Sequence, residues 1–237
     1  MDWGSGELRI SASRPLDSAM SPADHPRTLE AMEREIIPLI MDELERLSWD
    51  RRGSLGELVK REPILKDAVE KTALSALRRW SRLSADAKSV EALYTLIPGA
   101  VTGAFFPPEP ASMRASPPIG WVPVPEDPWS GILIYIPPEL TLRLVPALRA
   151  RILGSDLTVL ADPAAAGAPG FRYHSLEERG AAESQVGRRP YRAVARALYG
   201  ESPCDIILSE DDLRRITASP SARRALEEGR TVILTAP

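Results

Sequence analysis

A chain of 237 residues with 43% hydrophobic content is long enough for a packed core in one large domain or two small ones. Its formal charge of -3 and pI near 5.6 exclude a broadly basic, phosphate-seeking surface. One cysteine, Cys204, excludes an internal disulfide and a thiolate metal cluster, and neither apolar run, Ile36 to Met41 or Ile132 to Ile136, approaches the about 20 residues that span a bilayer.

The opening residues MDWGSGELRI have neither a basic n-region nor an apolar h-region, so no export signal is expected in them. From Glu7 to Ser13, Leu8, Ile10 and Ala12 alternate with polar residues, the period of a half-buried strand. Pro22 and Pro26 mark a loop. Thr28 is then expected to cap a helix in which Leu29, Met32, Ile36, Ile40, Leu44 and Leu47 share a face, with a kink at Pro38.

Ser54 and Glu57 form a capping-box pattern that announces a second helix, interrupted at Glu62-Pro63. The helix is expected to resume at Ile64 and run through Trp80 to Leu83, with Leu65, Val69, Thr72, Ala76, Trp80 and Leu83 on its apolar face. Ser89 to Ile97 suits a strand buried on both faces, although periodicity alone does not separate it from a helix. Pro107 to Pro128 is dense in proline and reads as a stiff linker or edge crossing.

Beyond it the expected elements are short strands: Ile132 to Ile136, Leu148 to Ile152, Leu157 to Leu160, Arg172 to His174, Tyr191 to Ala197 and Asp205 to Leu208. Gly154-Ser155-Asp156 is the expected hairpin turn between the second and third. A helix capped by Ser209 is expected to reach about Leu226, and Gly229 precedes a last strand, Thr231 to Thr235. The expected class is therefore α+β, in three parts. A strand–helix–helix–strand module covers 1–106, a Pro-rich linker 107–128, and a short-stranded mixed β sheet with one or two helices 129–237, the whole being compatible with one continuous domain.

Few side chains offer chemistry. The histidines, His25 and His174, stand in no metal-ligand spacing; His25 reads as a loop residue and His174 as an edge-strand residue. No phosphate-cradling glycine motif and no G-x-S-x-G elbow is present. Asp211 and Asp212 lack the alternation of a calcium loop and sit better at the positive end of the helix that Ser209 caps. Neither a catalytic residue, a metal site nor a cofactor is expected. Lysine occurs only at 60, 66, 71 and 88, the other cations being arginines, which suits ion-paired surfaces and subunit contacts. Trp80 is expected in the core, while Trp121 and Trp129, in or beside the Pro-rich segment, are candidates for partner contact together with Ile132, Ile134 and Ile136.

Several segments of the second half occur in a suggestive order: SGILI from Ser130, LRARI from Leu148, GFRY from Gly170, CDIILSEDD from Cys204 and EGRTVIL from Glu228. In this order they resemble the FlgP-like family of flagella-associated outer-membrane lipoproteins. The resemblance implies a non-enzymatic α+β protein of the bacterial envelope that assembles into rings or disks around the flagellar motor. The expected partners are further copies of the chain and flagellar or envelope proteins, with no nucleic acid and no transmembrane segment. The implied location is the periplasm or, peripherally, the outer membrane. The alternative is a periplasmic module whose Trp121, Trp129 and neighbouring strand line a glycan or peptide groove.

Overall fold

The computed structural model describes residues 1–16, 25–99, 101–102, 129–164 and 170–236. The Pro-rich segment 107–128, and with it Trp121, lies outside the described residues. Among those described there are seven α-helices and thirteen strands.

In the first half, β1 (Leu8–Pro15) pairs along its whole length with β5 (Ser89–Leu96), antiparallel from Leu8↔Leu96 to Pro15↔Ser89. Strand β4 (Leu77–Leu83) pairs with the other side of β5, giving the order β1-β5-β4. One face of this sheet is core. The long helix α1 (His25–Arg46) buries Met32, Ile36, Ile40 and Leu44 in the cluster that also holds Leu8, Ile10, Val90, Tyr94 and Leu96. The spacing of three and four places this stripe on one side of the helix. Thr28 lies within α1 and is buried, so it does not cap the helix, and His25 opens α1 and is not a loop residue. Helix α1 runs on past Pro38, which is on its exposed side, where water can serve the carbonyl that proline leaves without a donor.

A short hairpin, β2 (Ser48–Asp50) and β3 (Gly53–Ser54), leads into α2 (Leu55–Arg61). The capping box is formed: the Glu57 amide donates to Ser54 Oγ at 3.2 Å and the Ser54 amide to Glu57 Oε2 at 2.9 Å. Ser54→Ala is expected to cost about 1 kcal/mol, read as a lower urea midpoint at unchanged slope; an unmoved midpoint would show that the cap is redundant. A 3₁₀ turn at Pro63–Leu65 then leads into α3 (Lys66–Leu74).

The expected helix to Leu83 is overturned here. Helix α3 stops at Leu74, and Leu77–Leu83 is a strand whose Trp80 is on the surface, 40% exposed. Strand β5 lies mid-sheet with two rows of backbone groups to satisfy, and Leu77–Leu83 supplies the second row. That pairing outweighs a helical pattern of which only Val69 and Thr72 are buried within the six expected positions.

The second half is built on a parallel sheet of β6 (Ile132–Ile136), β9 (Arg172–Ser175), β10 (Tyr191–Val194) and β13 (Thr231–Thr235), in the order β10-β6-β13-β9. Helix α5 (Arg179–Val186) lays Ala182 and Val186 on Leu133, Val232 and Leu234. The opposite face packs against α6 (Glu210–Ala218), α7 (Pro220–Glu227) and a second sheet of β7 (Ile152–Leu153), β8 (Val159–Ala161), β11 (Ala197–Tyr199) and β12 (Asp205–Ile207). Cover on both faces is what an unbroken apolar strand requires, and β6 has it.

The punctuation around β6 has local causes. A Cβ on Gly131 would come within 2.5 Å of the Val186 carbonyl oxygen, so only glycine lets the end of α5 close on the strand. After β6, Pro138 opens α4 (Pro138–Thr141), and Thr141 Oγ1 donates towards the carbonyls of Ile136 (3.2 Å) and Pro137 (3.1 Å). The turn at Gly154 joins β7 to antiparallel β8 as expected, with Gly154 N donating to Thr158 O at 2.8 Å. Three expectations are corrected in length: 148–152 is strand only at Ile152–Leu153, 191–197 divides between two sheets as β10 and β11, and the helix from Ser209 breaks at Ser219-Pro220 into α6 and α7. Pro220 cannot donate into α6, while Ser219 caps α7 through the Ala222 amide at 3.3 Å.

The halves are joined by backbone and core together. Leu148 N and Arg149 N donate to the carbonyls of Ser48 (3.0 Å) and Trp49 (2.7 Å), and Leu148 is buried in the first-half core. Tyr173 N donates to Trp3 O at 3.2 Å, with the two rings edge-to-face at 5.8 Å.

Candidate functional site

The isoleucines expected to meet a partner do not reach the surface. Ile132, Ile134 and Ile136 are each fully buried on an interior strand of the parallel sheet, between β10 and β13. A groove lined by that strand is therefore ruled out, because any ligand touching these side chains would have to open the core. Trp129 is half-buried against the same core, its ring edge-to-face with Tyr191 at 5.4 Å and its amide donating to Ser221 Oγ at 3.1 Å.

The groups that resemble chemical actors are engaged in structure. Tyr191 donates from its hydroxyl to Asp212 Oδ1 at 2.7 Å, and burial together with that acid pushes its pKa well up. Asp212 also meets the Ser209 cap, whose Oγ accepts from the Asp212 amide at 3.1 Å. Burial, with Asp205 next in sequence, pushes the Cys204 thiol up, and burial does the same to Tyr173. Asp205 has a fully buried carboxylate that takes the Arg151 amide at 3.0 Å and the Arg151 guanidinium through Nε at 3.1 Å and Nη2, with Arg51 Nη1 at 3.9 Å. The hydrogen bond that Arg151 donates to Asp205 raises the Arg151 pKa above its ordinary value. Arg51 comes from the hairpin turn of the first half and lies over the Tyr199 ring at 5.3 Å, while its carbonyl accepts from Ser202 N at 3.0 Å. This cluster fixes the two halves against each other.

An uncovered surface lies on the other side of the first-half sheet. Residues alternate across a strand, so the face opposite the core carries Glu7 and Arg9 from the β1 end, Glu91, Leu93 and Thr95 from β5, and Leu77, Trp80 and Arg82 from β4. A register shift between Arg78 and Trp80 brings Arg79 onto this face too, where its Nε donates to Thr95 Oγ1 at 2.7 Å. Leu77 is 62% exposed and Ile97, just past β5, 52%. A cavity of about 180 Å³ sits between them, bordered by Glu7, Arg79 and Thr95. The Arg82 guanidinium covers the Trp80 ring at 4.9 Å and bonds Glu91 at 2.9 Å.

The polar border alternates in sign. Asp2 pairs with Arg9 at 3.3 Å, Arg9 with Glu7 at 3.3 Å and Glu7 with Arg79 at 3.2 Å. The result is an apolar stripe with an aromatic and several arginines at its rim, the composition of a docking surface. The sequence hid it because Trp80 fits an apolar helical face with Val69 and Ala76; the alternation in Leu77-Arg-Arg-Trp-Ser-Arg-Leu83 is blurred by the bulge residue.

Residues 1–97 match the sequence family described as Treponema pallidum Tp0624, N-terminal domain, and residues 131–237 the one described as Treponema pallidum Tp0624, second domain. Taken together, the chain is similar to the first two domains of that protein, one in each half of its length. Neither description names FlgP or a flagellum. The two matches meet the two structural halves: the Tp0624 N-terminal domain match covers the sheet with the open face, and the second-domain match covers the parallel sheet with β6 at its centre. No curated protein matches the chain. No helix among the described residues is long and apolar enough to cross a membrane.

Proposed function

We propose that this is a non-enzymatic assembly protein of the bacterial envelope that docks through the open face of its first-half sheet onto a second copy of the chain. The observation that carries the proposal is the joint exposure of Leu77, Trp80 and Ile97 on one face of a sheet whose other face is core. Apolar side chains held in one plane by a ladder are already ordered, so covering them costs little conformational entropy.

A second copy suits the charge pattern. Acids and arginines alternate along the border, so two like faces meet without a row of equal charges. Face packing is favoured over edge pairing, because β4 carries a bulge and three arginines, which block strand addition. Three strands of about seven residues offer about 14 Å by 24 Å, or about 340 Å² per copy, against about 800 Å² per partner in a stable complex. The contact is accordingly weak alone and suits a ring in which each copy uses more than one surface. The envelope setting, peripheral outer-membrane association and flagellar motor rest on the resemblance to the FlgP-like family.

Sedimentation velocity over a wide concentration range tests the docking. The expected result is reversible association of the wild-type chain, weakened about tenfold or more in Leu77→Asp/Trp80→Ala, with circular dichroism unchanged because both side chains are exposed. A wild-type chain that stays monomeric at the highest concentration, or a variant that associates equally well, overturns it. Fractionation of cells and co-sedimentation with basal-body preparations test the location separately.

A further inference from the structure

We propose that His174 and Gln185 form a proton-controlled latch that holds the N-terminal loop, Met1 to Gly6, on the second half of the protein. His174 stands on β9 with only 6% of its surface exposed, and its Nδ1 makes no hydrogen bond. Gln185, on α5, places its Nε2 at 3.1 Å from His174 Nε2 and at 3.4 Å from the Gly4 carbonyl. The Gly4 carbonyl decides which way the amide faces, because an oxygen in that place would meet another acceptor. An amide nitrogen only donates, so neutral His174 accepts at Nε2 and carries its proton on Nδ1.

Protonation converts Nε2 into a donor facing a donor. The amide must then turn over to give His174 its oxygen, and it loses Gly4 in doing so. The new charge is met at Nδ1 by Glu178 Oε2, now 3.5 Å away, so the ring gains an ion pair with its own turn while the Gln185 amide gives up the loop.

The loop is seated closely on this strand. A Cβ on Gly4 would come within 2.9 Å of the imidazole Cε1, and one on Gly6, where φ is +71°, within 1.1 Å of an Arg172 guanidinium nitrogen. The charged groups around the latch are Asp2 from the loop, Glu178 from the 3₁₀ turn Leu176–Glu178, and Arg172 two residues back on β9. On α5, Arg179 and Glu183 bond each other at 2.9 Å, and β13 contributes the uncharged Thr235 hydroxyl, which donates to the His174 carbonyl at 3.2 Å. Asp2 ties the loop's own turn through the amides of Gly4 (3.0 Å) and Ser5 (3.1 Å), so a released loop leaves as a unit.

The chain has two histidines, which makes the test direct. Long-range ¹H–¹⁵N correlation spectra at about pH 8 read the tautomer, and hydrogen exchange at the Tyr173 amide, which donates to the Trp3 carbonyl of the loop at 3.2 Å, is followed to about pH 5.5. The expected result is the Nδ1–H tautomer for His174, and protection of the Tyr173 amide that falls several-fold, after correction for intrinsic rates, as the pH is lowered. Gln185→Ala, at an exposed position, is expected to show low protection at every pH. An Nε2–H tautomer, or a Gln185→Ala loop with the wild-type pH profile, overturns the latch.

Discussion

Asp205→Ala is expected to remove about 3–5 kcal/mol of folding free energy. The carboxylate is fully buried and receives the Arg151 amide at 3.0 Å, the Arg151 side chain at two nitrogens and, at longer range, Arg51. Truncation leaves the Arg151 side chain, only 19% exposed, without its counter-charge, and an amide on β7's approach without an acceptor. The neighbouring Cys204 provides a second readout, since its thiol is buried and held in the protonated form by its surroundings. Urea unfolding should show the loss, and thiol labelling of Cys204 in the native protein should accelerate with it. Asp205→Asn keeps one acceptor and should fall between wild type and alanine. A midpoint for Asp205→Ala close to wild type would falsify the role given to this cluster.

Ile134→Ala is expected to cost about 2–5 kcal/mol. Ile134 is fully buried at the middle of β6, paired with Ala193 on one side and Ile233 on the other. Removing its branched side chain empties the centre of the layer between the parallel sheet and α6 and α7, and a site enclosed by two ladders and two helices has little freedom to collapse. Equilibrium unfolding measures the cost; a value below about 1 kcal/mol would mean that the neighbouring side chains refill the space. A preserved monomer–oligomer balance in this variant, alongside loss in Leu77→Asp/Trp80→Ala, would separate the core role of β6 from the docking role of the first-half sheet.

Particular residues show how far the sequence is legible. Ser54 with Glu57, Ser209 with Asp212, and Gly154 ahead of β8 act over three or four residues, and each structure they announce is present. A second capping box, Ser175 with Glu178, has the same spacing and opens the turn before α5, but no long apolar stripe follows it to mark a helix in the sequence. Trp80 is the opposite case. Its spacing from Val69 and Ala76 is helical, yet the backbone from Leu77 onward is claimed by β5, and the side chain is thereby moved from the expected core to the open face. The candidate site was illegible for that reason, and the expected one, on Ile132, Ile134 and Ile136, was misplaced because an apolar strand reads alike whether it is to be covered by a partner or by its own chain.

By itself the sequence determined the α+β class, the length and ends of β6, the caps at Ser54 and Ser209 and the amphipathic stripe of α1, because caps, turns and side-chain periodicity are contacts between near neighbours. Only the tertiary structure decided that Leu77–Leu83 is a strand, that Tyr191–Tyr199 is shared between two sheets, that Asp205 is buried against Arg151, and that one sheet face is left open. Each of those outcomes depends on which distant segment satisfies a backbone group or a charge, and that competition is settled by the packed whole.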